Sequence, residues 1–284
     1  MEDDAISELL YCDENLEDVV EDKQTLFNID SVTEEEEVFV GNMMNKEINF
    51  NFKNLSSDNR IRSEAVSWIF QSRKFLGFGL QTIYVSIAYF DQFLSRRSIQ
   101  DEKLGADRLV RVACLSLAAK MEEMEVPLLT QYHLQDYNIE TKVIQRMELL
   151  ILQTLEWRMI LTTPFHFLHY FIIKFSNNNS SSISHLESTT VGFIMALIKE
   201  INFMSYRPSV IAAAATLMAL DESLTRKALE GIINSISSSG LLQTEDVFEC
   251  YNVIKKLKSD DLETSSVTCA TNGRKRKRLE FNNV

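Results

Sequence analysis

An all-α protein of two consecutive helical bundles between polar tails is what this sequence predicts, and three observations predict it. Turn-forming residues are scarce: 8 glycines and 3 prolines in 284 residues, about a third of the roughly 12% found in average usage. Sheets with many hairpins, and glycine-rich phosphate loops, need more. Apolar residues recur three, four and seven apart over long stretches, the spacing of one helix face. The polar run Asn177–Ser182 (NNNSSS) interrupts the second half of that text as a flexible loop. The length allows one large or two smaller domains with a substantial core.

The elements follow in chain order. Residues 1–33 are acidic and lack periodic apolar content, so a disordered tail is expected there. A short helix is expected near 34–48. In 60–76, Ile61, Ala65, Trp68, Ile69 and Phe75 mark one helix face, and Ile83, Tyr84, Ile87, Phe90, Phe93 and Leu94 do so in 80–95. Residues 104–121 (with LVRVACLSLAAKM) are apolar almost all round, the pattern of a helix buried on most sides; Glu122, Glu123 and Pro127 close it. Residues 141–155 are amphipathic again. Thr163-Pro164 starts the second block with a hydroxyl cap and a proline whose missing N–H costs nothing at the first helical position. Helices are then expected over 164–175, 185–202, 208–221, 225–236 and 243–257. Residues 258–284 are read as a polar, disordered basic tail, so the units are 1–33, 34–160, 161–257 and 258–284.

Charge narrows the function. The chain holds 41 acidic and 29 basic side chains, a net charge of −12. Residues 1–40 account for 15 of the acids and contain one base, Lys23. The remainder, with 26 acids and 28 bases, is nearly neutral. Neither part has the basic stripe of a general nucleic-acid binder. The longest apolar stretches, such as Val210–Leu220, fall short of the ~20 residues a membrane span needs. The acidic N-terminus fits neither a signal peptide nor a mitochondrial presequence. The four cysteines (Cys12, Cys114, Cys250, Cys269) are scattered without zinc spacing and read as free thiols in a reducing compartment.

Four stretches carry recognisable text: RSEAVSWIF (62–70), YVSIAYFDQFLSRR (84–97), RVACLSLAAKMEEMEVPLL (111–129) and IQRMELLILQTLEWRM (144–159). In order and spacing they resemble the cyclin box of plant D-type cyclins, nearest the fifth subgroup. TTPFHFLHYFI (162–172) continues the resemblance into a second, more divergent box, and it fades after about residue 220. The resemblance implies tandem cyclin boxes of five helices each. It implies a non-catalytic G1 cyclin that forms a heterodimer with a cyclin-dependent kinase, activates it and directs it to retinoblastoma-like proteins at the G1/S transition. CDK inhibitors would be further partners, no cofactor or metal is implied, and no membrane or direct nucleic-acid contact is expected.

The family's defining positions are present as Arg62, Asp91, Leu109, Lys120 and Glu148. Arg62 and Asp91 would form a charge pair bracing two helices. Lys120 and Glu148 would grip backbone groups of the kinase's mobile helix, with Met121, Leu152 and Trp157 as apolar neighbours. Taken alone, Lys120 and Glu148 read as a helix-end lysine and an exposed glutamate. Binding the active kinase conformation better than the inactive one would shift the kinase toward activity. A second family surface docks Arg-x-Leu peptides; its matching positions are Ile61, Arg62, Ala65, Trp68 and Arg108. Ala65 and Arg108 depart from the animal pattern, which implies a shallower, more basic groove; Trp68 also reads as a helix–helix core residue.

Two linear motifs lie in the tails. Leu10, Cys12 and Glu14 form a Leu-x-Cys-x-Glu peptide with Leu16 two residues on, in the family the retinoblastoma-binding motif. An extended peptide laid in a groove suits it, with surrounding acids, Glu17–Asp22 and Glu34–Glu37, steering it to a basic rim. Arg274, Lys275, Arg276, Lys277 and Arg278 read as a nuclear-import signal, and so as residence in the nucleus and also the cytoplasm, as a nucleic-acid contact, or as a solvated basic tail. Lys277–Phe281 also resembles a docking peptide able to act in cis.

Enzyme readings find little support. His166 and His169 stand three apart, but no Cys or carboxylate in that segment completes a metal set. No phosphate loop, nucleophile elbow or kinase signature occurs. Two rivals stay open: a two-cyclin-fold transcription factor that bridges DNA, and a cyclin-box protein that no longer activates a kinase.

Overall fold

The computed structural model describes residues 32–47, 59–97, 105–132, 139–176, 183–200, 205–236 and 242–270. Ten α-helices are present among them: α1 (Glu34–Glu47), α2 (Asn59–Leu76), α3 (Leu80–Arg96), α4 (Ala106–Glu122), α5 (Thr141–Thr154), α6 (Leu168–Ser176), α7 (Ile183–Leu197), α8 (Pro208–Leu220), α9 (Arg226–Ile236) and α10 (Thr244–Ala270). Short 3-10 turns occur at Leu129–Gln131 and Pro164–Phe167. The described residues contain no strand.

Each bundle surrounds one helix. In the first, α4 packs against α2, α3 and α5, and every residue from Val112 to Ala119 is buried. In the second, α8 packs against α6, α7 and α10, and its alanine run lets these neighbours approach closely on all sides. The unit 34–160 shows five α-helices, α1 to α5, and a 3-10 turn among its described residues, and five α-helices follow it. Three differences from expectation have physical causes. The expected helix 164–175 begins as a 3-10 turn, because the Thr163 N–H and hydroxyl both engage His166 Nδ1, at 3.1 and 2.8 Å. α7 stops at Leu197, not 202, because a long-range partner takes the carbonyls that follow it. α10 runs to Ala270, thirteen residues into the segment read as tail.

The two bundles share a continuous apolar cluster, in which Val66, Ile69, Ile83 and Leu115 join Phe171, Ile194, Ile211 and Leu217. A second cluster belongs to the first bundle alone, around Phe90, Ala113, Ile144 and Ile151. Arg62 bolts the bundles together. Its side chain, 1% exposed, donates Nε to Asp91 Oδ1 (3.0 Å), Nη2 to Asp91 Oδ2 (3.0 Å), and Nη1 and Nη2 to the carbonyls of Lys199 (3.0 Å) and Ile198 (2.8 Å). Burial pushes the Asp91 pKa up while the guanidinium pulls it back. Removing one partner of such a pair costs roughly 3–5 kcal/mol.

Helix α1 precedes the first bundle but leans on the second. Its first turn is acidic, which suits a helix N-terminus. There Glu36 meets His169 at 2.8 Å and Glu37 pairs with Lys174. At its far end the buried Glu47 accepts from the Ser209 N–H (3.2 Å) and hydroxyl (2.5 Å) at the start of α8. Desolvation raises the Glu47 pKa to about 7, opposed by these donors and by Arg207. Glu36 and Glu37 are therefore engaged in folding, and only part of the acidity read as a steering field is available for it.

Candidate functional site

Apolar text carries α4 through the middle of its bundle until Lys120, the first exposed residue after eight buried ones. A cation in the last turn suits the helix dipole. Its Nζ donates to both Glu148 oxygens, at 2.8 and 2.7 Å. Glu148 rises from the middle of α5, where Ile144 and Ile151 face the core one turn to either side. The pair is asymmetric: the lysine side chain is 44% exposed and the glutamate 8%. Glu148 thus sits nearly in the wall, while Lys120 keeps donor capacity toward solvent.

Exposed apolar side chains lie on the helices that carry this pair and in the segments that follow them. Met121 and Met124 follow Lys120 in the chain, and Leu149 lies on α5. Leu152 is half-buried on the same helix. Trp157 is 64% exposed and Ile160 90%. The end of α5 explains why Trp157 stands out. Leu155 caps the helix, the Trp157 N–H donates back to Leu152 (2.8 Å), and the Glu156 N–H donates to Gln153 (3.2 Å). This is the Schellman termination, which normally uses glycine. Here Glu156 and Trp157 hold φ of 56° and 61°, a left-handed conformation costing non-glycine residues roughly 1–2 kcal/mol each. A strained backbone that thrusts an indole into water is characteristic of a contact surface.

The text MEEMEVP has another task that the sequence reading missed. Glu123 Oε1 accepts from the Gly79 N–H (2.7 Å) and the Thr82 hydroxyl (2.5 Å), and Gln81 donates to Glu122 (2.5 Å). The two carboxylates tie the end of α4 to the start of α3, which fixes where Lys120 and Met121 face.

The other expected residues fall out as follows. Leu109 is half-buried against the first-bundle cluster. Of the peptide-groove positions, Arg62 and Ala65 are buried and present no surface, a correction that follows from the tasks of bracing and packing. Ile61, Trp68 and Arg108 are half-buried. The guanidinium over the Trp68 ring belongs to Arg111, 5.3 Å from its centroid, a residue the reading did not name. His166 and His169 do separate work, one on Thr163 and one on Glu36. Leu10, Cys12, Glu14, Leu16 and Arg274–Arg278 lie outside the described residues.

Comparison with known proteins gives this geometry a context. Residues 29–160 match the family model "Cyclin, N-terminal domain" and residues 162–280 match "Cyclin, C-terminal domain". The chain is 42% identical over 234 residues to Cyclin-D5-1 of Arabidopsis thaliana, covering 78% of this chain and 72% of that one. It is 38% identical over 206 residues to Cyclin-D5-2 of Oryza sativa subsp. japonica (68% and 56%) and 38% over 215 to Cyclin-D3-1 of Arabidopsis thaliana (72% and 54%). In the last two, the chain spans little more than half of the relative's length. The fold resembles a viral cyclin from herpesvirus saimiri, with TM-score 0.62, 14% identity and coverage of 78% and 96%. It also resembles a chain of the yeast TFIIK (Kin28/Ccl1/Tfb3) complex, with TM-score 0.55, 18% identity and coverage of 79% and 95%.

Proposed function

The chain belongs to the cyclin family, in its plant D-type branch, and from that premise we propose that it is a non-catalytic subunit that binds and activates a cyclin-dependent kinase. The observation that carries this reading is the Lys120–Glu148 pair, set among exposed apolar side chains on the α4–α5 face. Two oriented charges inside an apolar patch have the anatomy of a protein interface core. Lys120 has ammonium donors for backbone carbonyls of a partner helix, and Glu148, held from below, can accept from that helix's N–H groups. Met121, Leu152 and Trp157 supply the apolar contact. By binding the active arrangement more tightly, the chain would shift the kinase toward it without contributing to the chemistry.

The tail motif extends the proposal. Leu10, Cys12, Glu14 and Leu16 would engage a retinoblastoma-related pocket and bring the kinase to that substrate, which is the G1/S role. Arg274–Arg278 would serve nuclear import.

The test mixes the purified chain with a plant cell-cycle kinase and measures phosphorylation of a retinoblastoma-type fragment. Activation is expected from the wild type and a loss of about thirty-fold or more from Lys120→Glu and Glu148→Ala, as for interface anchors worth 2 kcal/mol or more. Equal activation by all three, or none by the wild type, overturns the reading. Cys12→Ala should abolish pull-down of the pocket protein while leaving kinase binding intact.

A further inference from the structure

On the side of α2 away from Trp68, Val66, Phe70 and Leu80 form the apolar floor of an open groove of about 470 Å³ between α2 and the end of α7. Its rim is cationic. Arg73 and Lys74 stand on α2, and Lys199 approaches from the second bundle with Nζ 5.4 Å from the Phe70 ring centroid. No carboxylate lines it among the described residues, and Lys74 and Lys199 have no salt-bridge partner among them. Arg73 is tied down by donating Nε to the Phe78 carbonyl (3.1 Å). The other two cations flank an apolar strip with their charge unmatched. Ion pairing there is limited by exposure, so an occupant needs an apolar anchor as well as charge.

The chain carries a segment of that chemistry. Residues 1–31 hold eleven Asp and Glu against Lys23, and within them Glu17-Asp18-Val19-Val20-Glu21-Asp22 places two branched apolar residues between two pairs of acids. We propose that Glu17–Asp22 docks in this groove in cis, with Val19 and Val20 on the Val66–Phe70–Leu80 floor and the flanking carboxylates facing Lys74 and Lys199. Reach permits it. The eleven residues from Asp22 to Thr33 span up to ~36 Å, about the diameter of a domain this size, and α1, which follows them, shares a core cluster with Val66. Tethering supplies an effective concentration in the millimolar range, so weak contacts suffice. Docking would hold Leu10–Glu14 against the body of the protein and release it when a more basic surface competes for the acids. The proposal does not rest on the kinase reading.

Zero-length carbodiimide cross-linking of the full chain at low ionic strength, read by mass spectrometry, tests the placement. Lys74 and Lys199 should link to Glu17–Asp22, and the links should fade at about 0.5 M salt, where screening is short-ranged. Tryptic cleavage after Lys23 gives a readout that does not need the rim lysines. The double variant Lys74→Glu/Lys199→Glu should raise its rate roughly five-fold, as two exposed charge contacts are lost, and Val19→Asp/Val20→Asp should do the same without altering the groove. Cleavage rates unchanged in both variants, links to lysines elsewhere in preference to Lys74 and Lys199, or links that grow with protein concentration (the tail of a second copy) would each overturn docking in cis.

Discussion

In the first bundle the last turn of the central helix α4 carries Lys120, held by Glu148, and exposed apolar residues follow it in the chain and lie on α5. In the second, the central helix α8 ends on Leu220, closed by the Asp221 N–H donating to Leu217 (3.0 Å). Among the described residues of the second bundle, Leu220 is the one large apolar side chain left exposed, against eight from Met121 to Ile160 in the first. Both bundles bury a helix on all sides, so the architecture does not create the difference. What differs is the ends of the elements. The first bundle spends two left-handed residues and a buried glutamate on its outer face; the second spends its polar groups inward, as where Tyr251 donates to the Asp221 carbonyl (2.8 Å) and accepts from the Leu224 N–H (3.2 Å). Similar scaffolds thus end in two different outer faces, one rich in exposed apolar side chains and one closed.

The largest expected effect breaks the joint between the two. Asp91→Ala leaves the Arg62 guanidinium buried against two carbonyls without its counter-charge, and should cost about 3–5 kcal/mol in urea unfolding. Because Arg62 reaches both bundles, the transition should also lose its single-step character.

Next comes the α1 strap. A glutamate titrating near 4.5 in the open chain titrates near 7 at Glu47 in the folded one, so the folded state holds that proton more tightly. The stabilisation is complete below pH 4.5 and is lost as pH rises through 7, about 3 kcal/mol in all. Glu47→Gln should flatten the decline of Tm between pH 5 and 8 and leave Tm at pH 5 nearly unchanged.

The asymmetry of surfaces is sharpened by a pair of substitutions. Trp157→Ala should weaken kinase binding by about 2 kcal/mol, measured by calorimetry, while Leu220→Ala on the second bundle should leave it unaltered. The smallest effect concerns the strained cap. Glu156→Gly relieves one left-handed residue at the cost of a more flexible unfolded chain, and should stabilise by about 0.5–1 kcal/mol in thermal unfolding.

Much of this was legible in the sequence, and the rest was hidden for definite reasons. Helices α2, α3, α8 and α9 begin and end within a residue or so of their expected bounds, because periodicity, a glycine or a proline marks each boundary locally. The end of α7 was misread because what stops it is Arg62, more than 130 residues earlier. The extension of α10 was missed because its last turns, KSDDLETSSVTCA, carry no apolar stripe. At the site, Lys120, Glu148 and Trp157 were named through family resemblance. That Glu148 is nearly buried, that Glu123 fastens α4 to α3, and that Arg111 covers Trp68 are contacts between segments, and no spacing rule announces them.

The reach of Arg62 also has a consequence for how the protein is made. The acceptors it engages among the described residues are synthesised far apart: Asp91 soon after it, and the carbonyls of Ile198 and Lys199 only when α7 is finished. At about 5–20 residues per second, a nascent first bundle, complete near residue 160, waits some 2–8 s for the Ile198 and Lys199 carbonyls that Arg62 engages, and Glu47 waits longer still for Ser209. During that interval the chain can collapse but not lock. A ribosome-bound intermediate with an open seam at α2 is therefore the species on which chaperones and quality-control proteases would act.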